Sequence, residues 1–64
     1  MTVETIHESL VNGQRQQMVR QIDEYGLYDF WAEYRKYLES YYALYGIATY
    51  FTDAVISYFR IKGR

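Results

Sequence analysis

The sequence predicts an all-α chain, and three observations carry that prediction. Proline and cysteine are both absent, so long helices are permitted and no disulfide or thiolate–metal site can substitute for a core. Apolar residues recur at intervals of three and four along nearly the whole length, the period of one helix face. Half of the 64 residues are hydrophobic and 20% are aromatic, which is too apolar for a disordered segment.

A chain of this length is one domain, 1–64. For so short a chain the hydrophobic gain and the conformational entropy of folding are of similar size, and small domains then depend on disulfides, metals or assembly. With no cysteine present, assembly is the expectation. Nine of the aromatics are tyrosines, whose apolar face and polar tip suit surfaces that a partner covers.

The first helix is predicted from Val3 to Val11. Thr2 is placed to cap it, Glu4 favours the positive end of its dipole, and Val3, Ile6 and Leu10 form its apolar stripe. Asn12-Gly13 predicts a stop. The apolar phase favours a break there, because Val11, Met18, Ile22 and Tyr25 form a second stripe turned by about 100°, although one continuous helix with a broad face is the alternative.

A second helix follows from Gln14 to Tyr25 and ends at Gly26. With Gly26 as the left-handed residue, Leu27 and Ile22 are the apolar pair of a Schellman ending, and Asp29 is placed to cap the next helix. That arrangement predicts a helical hairpin.

The final helix is predicted as one rod from Asp29 to Lys62, about 50 Å long. Three adjacent heptad columns on it are apolar: Leu27, Tyr34, Tyr41, Ala48 and Val55; Phe30, Tyr37, Leu44, Phe51 and Tyr58; and Trp31, Leu38, Tyr45, Thr52 and Phe59. A stripe that wide requires more than one neighbour. The second helix, at about 18 Å, cannot cover it. Gly46 marks a bend or a close approach of another backbone. The fold class expected is therefore all-α: a helical hairpin with a short N-terminal helical arm and a long C-terminal helix, associating as a dimeric helix bundle. Trp31, Tyr34, Leu38, Tyr41 and Tyr45 are expected within or between hairpins, and Phe51, Val55 and Phe59 between subunits.

No constellation for chemistry emerges. Glu4, His7 and Glu8 share one helix face and could meet a metal, but a solvated first turn explains them more simply. The acid pairs Asp23 with Glu24 and Asp29 with Glu33 have no histidine or nucleophile beside them. Asp53 sits in a polar column, Glu33 is spaced to pair with Lys36, and Ser9, Ser40 and Ser57 have no base in pattern. No catalytic, cofactor-binding or metal-binding residue is assigned, and no enzyme is expected.

A formal net charge of −1 gives no overall pull toward nucleic acid. Leu44 to Phe59 spans only 16 residues and carries Gly46 and Asp53, short of the about 20 apolar residues of a membrane span. Glu4 and Glu8 stand where a signal peptide would be basic, so the expected location is cytoplasmic. The leading expectation is a small non-enzymatic protein–protein interaction module (adaptor, assembly factor or regulator) acting as a homo-oligomer. The alternative is a nucleic-acid-associated regulator using a doubled basic tail of Arg60, Lys62 and Arg64.

Overall fold

The computed structural model describes residues 1–63, which form four helices and, among the described residues, no strand. They are α1 (Val3–Val11), α2 (Arg15–Tyr25), α3 (Leu27–Tyr41) and α4 (Leu44–Lys62). Thr2 caps α1 as expected, its hydroxyl accepting from the Thr5 N–H at 3.2 Å.

The Schellman ending occurs at Gly13, not at Gly26. Gly13 has φ 81°, its N–H donates to the Leu10 carbonyl at 3.1 Å, and the Gln14 N–H donates to Ser9 at 2.8 Å. Those are the two bonds of that motif. At Gly26 (φ 109°) the N–H returns to Ile22 at 2.9 Å, and α3 begins with the next residue. Leu27 is thus already helical and cannot close the motif. Asp29 lies within the first turn of α3 and does not cap it; Gly26 occupies the capping position without a side-chain bond.

The single rod expected from Asp29 to Lys62 is two helices. Tyr42 (φ −133°, ψ 153°) and Ala43 (φ −68°, ψ 167°) are extended. The Tyr42 N–H closes α3 on the Leu38 carbonyl at 2.8 Å, and the Ala43 carbonyl opens α4 by accepting from Ile47 at 3.0 Å. Beyond the break α4 runs back along α3. Trp31, early in α3, meets Tyr58, late in α4, with ring centroids 6.0 Å apart, and Tyr34 meets Phe51 at 6.1 Å.

This reversal removes the elongated shape that made assembly look obligatory. The radius of gyration is 10.7 Å, matching the roughly 11 Å of a compact chain this long. The accessible surface, 4303 Å², is close to the about 4,400 Å² of a folded monomer of this mass. All four helices feed one core. Ile6 and Leu10 come from α1, Met18 and Ile22 from α2, Phe30, Tyr34 and Leu38 from α3, and Ala54 and Tyr58 from α4.

Gly46 belongs to the break. A Cβ there would stand 3.0 Å from Cβ of Tyr42 and 3.4 Å from its ring. The missing side chain lets Tyr42 fold back across the first turn of α4, so the close approach comes from within the chain.

Candidate functional site

Two regions stand apart from ordinary core packing. One is a buried box around His7. This residue shares the inward stripe of Val3, Ile6 and Leu10, and it is buried, which corrects the expectation of a solvated first turn. Its Nδ1 is 2.8 Å from the Tyr34 hydroxyl and its Nε2 is 3.0 Å from the Tyr42 hydroxyl. The rings of Tyr34, Tyr37, Tyr42 and Tyr50 surround it with centroids 5.0–5.6 Å away. In a neutral imidazole one nitrogen donates and the other accepts, and a tyrosine hydroxyl can complement either. Burial lowers the His7 pKa from its usual 6.5, and Glu8 and Glu4 partly oppose that. The same burial raises the pKa of Tyr34. Both nitrogens are occupied, no carboxylate touches the ring, and no metal-binding group of three or more occurs among the described residues. The box ties α1 to α3 and α4.

Polar ties close the other seams. Arg15 donates from Nε to Ser57 at 3.1 Å and pairs with Asp53 at 3.2 Å, and Ser57 donates to the other Asp53 oxygen. Asp23 accepts from the Tyr58 hydroxyl at 2.7 Å and from Lys62 at 2.9 Å, which hold its carboxyl below the usual range. Ser9 donates to Gln21 at 2.8 Å, and Ser40 to the Lys36 carbonyl. Lys36 makes no ion pair with Glu33 among the described residues; Arg35 pairs with Glu39 instead. Asp29 and Glu33 are exposed. Asp23, Asp53, Ser9 and Ser57 therefore tie helices together, whereas exposed Ser40 bonds only its own helix.

The second region is the outer face of α4. At 100° per residue, Tyr45, Ala48, Thr52, Val55 and Phe59 fall in a strip about 80° wide, flanked by Leu44 and Ile56. Ala54, Ser57 and Tyr58 point the other way, into the core. Thr49, Asp53 and Arg60 make a narrow polar wedge on one border, and Lys62 stands on the other. On the strip Leu44 is 81% exposed, Tyr45 83%, Ile56 49% and Phe59 53%. Beside it, Arg35, Ile47, Ala48, Phe51 and Thr52 line a recess of about 210 Å³ between α3 and α4.

The residues singled out from sequence divide between core and surface. Tyr34 and Leu38 are fully buried within the chain, and Trp31, Phe51 and Val55 are half-buried. Tyr41, Tyr45 and Phe59 are exposed. Of the basic tail, Arg60 is exposed, Lys62 is held by Asp23, and Arg64 lies outside the described residues. No helix of the described residues is long and apolar enough to cross a membrane.

The architecture defines a small all-α domain of four short helices. No family model, no curated protein and no solved structure matches the chain. Its chemistry must therefore be read from its own surfaces.

Proposed function

We propose that this chain is a small non-enzymatic protein–protein interaction module acting as a homo-oligomer. The observation that supports this reading is the outer face of α4. A helix whose apolar residues extend around most of its circumference belongs in an interior, yet α4 buries only one side within its own chain. Exposed large apolar side chains at both ends of one face, Leu44 and Tyr45 at its start and Ile56 and Phe59 near its end, mark a protein contact. The polar inventory points the same way, since His7, Ser9, Ser57, Asp23 and Asp53 are engaged in holding helices together.

Sedimentation equilibrium of the wild type and of Phe59→Asp tests the reading. The wild type should self-associate in a concentration-dependent manner. Because Phe59 is 53% exposed in the single chain, the variant should remain helical by circular dichroism and sediment as a monomer. A wild type that stays monomeric up to about 1 mM, with a dissociation free energy weaker than about 4 kcal/mol, overturns self-association.

A further inference from the structure

Resting on the reading above, we propose that the occupant of the α4 face is a second copy of this chain, docked antiparallel, with Phe59 of each copy seated in the recess beside Ala48 of the other. Tyr45, Ala48, Thr52, Val55, Phe59 and Lys62 follow alternating steps of three and four. That is the seam along which two like helices interlock. The seam is uneven in size: Ala48 and Thr52 are small and border the recess, whereas Phe59 projects 11 positions further on, about 17 Å along the axis. A knob and a hole on one face, separated along a helix, are satisfied together only when a twofold axis reverses the second copy.

The register follows from that pairing. Ala48 faces the partner's Phe59, Thr52 faces the partner's Val55, and Tyr45 faces the partner's Lys62. In the last pair the Lys62 ammonium stays on Asp23 of its own chain, so only its alkyl stem lies against the tyrosine ring. A parallel pair would set Phe59 against Phe59 and Ala48 against Ala48, opposing knob to knob and leaving the recess empty. Size selects the antiparallel arrangement.

The area suffices. With Leu44, Tyr45, Ile56 and Phe59 exposed to the extents given above, large side chains of about 150–250 Å² contribute on the order of 500 Å² per copy. Full coverage of these four side chains in both copies corresponds to about 1,000 Å², and Ala48, Thr52 and Val55 add to it, which places the pair at the lower edge of specific association.

A size swap tests orientation directly. Ala48→Phe fills the recess and Phe59→Ala removes the knob, so each single variant should weaken self-association about a hundredfold by sedimentation equilibrium. The double variant Ala48→Phe/Phe59→Ala should restore it to within about tenfold of wild type, because position 48 again faces a complementary position 59. Circular dichroism and the thermal midpoint of each dilute variant report that the single chain stays folded. A wild-type dimer that the swap does not restore overturns the antiparallel register while leaving self-association standing. A wild type that remains monomeric overturns the second copy as occupant. Flotation of that monomer with phosphatidylcholine vesicles would assign the face to lipid, again against the proposal.

Discussion

The hydroxyl of Tyr42 stands 3.0 Å from Nε2 of His7, joining positions 35 residues apart at the point where the chain reverses between α3 and α4. Tyr42 reaches this position because it is extended rather than helical, and because Gly46 leaves room for its ring. The break, the glycine and the histidine form one unit. Several consequences can be measured.

Removing the Tyr42 hydroxyl leaves a buried imidazole nitrogen without a partner. Tyr42→Phe should cost about 1–3 kcal/mol. In a domain this small that lowers the thermal midpoint by about 5–20 °C, read by circular dichroism. A midpoint unchanged by the substitution would show that the hydrogen bond contributes nothing.

Acid should weaken the fold through His7. Its pKa is lowered in the folded state by burial, so the unfolded chain takes up the proton first. The stabilisation is complete above about pH 6.5 and declines as pH falls toward the depressed folded value, with a slope of at most about 1.4 kcal/mol per pH unit. Urea titrations from pH 8 to pH 5 should show this decline, and His7→Phe should flatten it. Tyr34 and Tyr37, whose pKa values burial raises, act at the opposite end. Their stabilisation is complete below about pH 10 and is lost as alkali ionises the unfolded chain.

Gly46→Ala sets helix propensity against packing. Alanine gains about 1 kcal/mol within a helix, but its Cβ would meet Cβ of Tyr42 at 3.0 Å. That neighbour is close to its own backbone and has little freedom to yield. The single variant should be less stable than wild type, while adding Gly46→Ala to Tyr42→Ala should be stabilising. A double-mutant cycle by chemical denaturation separates the two terms.

The phenylalanines should divide by burial. Phe30 is fully buried, between Tyr34 at 4.8 Å and Trp31 at 4.9 Å, so Phe30→Ala should cost about 3–5 kcal/mol and leave the chain largely unfolded. Phe59→Ala should leave the single chain folded. Comparison of the two by circular dichroism at low concentration checks this.

What sequence reveals here depends on where each determinant lies. The first helix, its Thr2 cap and the stop at Asn12-Gly13 rest on neighbouring residues, and their pattern is visible in sequence. The ending at Gly26 misleads because Ile22 and Leu27 have the spacing of an apolar closing pair, while α3 begins too soon for them to use it. The break at Tyr42-Ala43 contains neither glycine nor proline, and its cause is tertiary: α4 gains more by folding back onto α2 and α3 than by continuing as a rod. Gly46 was the only local sign, and it lies four residues late. The His7 box was partly legible, since a histidine at i+4 from Val3 and i−3 from Leu10 shares their inward face. Its tyrosine partners, 27 to 43 positions away, were not. The outer face of α4 was foreshadowed by three adjacent apolar columns, of which the fold buries the half that sequence alone could not choose.

Trp31 gives the fold an optical voice of its own. Its half-buried indole rests against Phe51 at 5.6 Å and Tyr58 at 6.0 Å, both on α4. It is the only tryptophan among nine tyrosines, so its emission arises from a single place, the seam between α3 and α4. Lifting α4 wets that ring and moves its fluorescence to longer wavelength, whereas loosening α1 disturbs chiefly the tyrosines around His7. One cuvette thus distinguishes detachment of the last helix from detachment of the first, without a label.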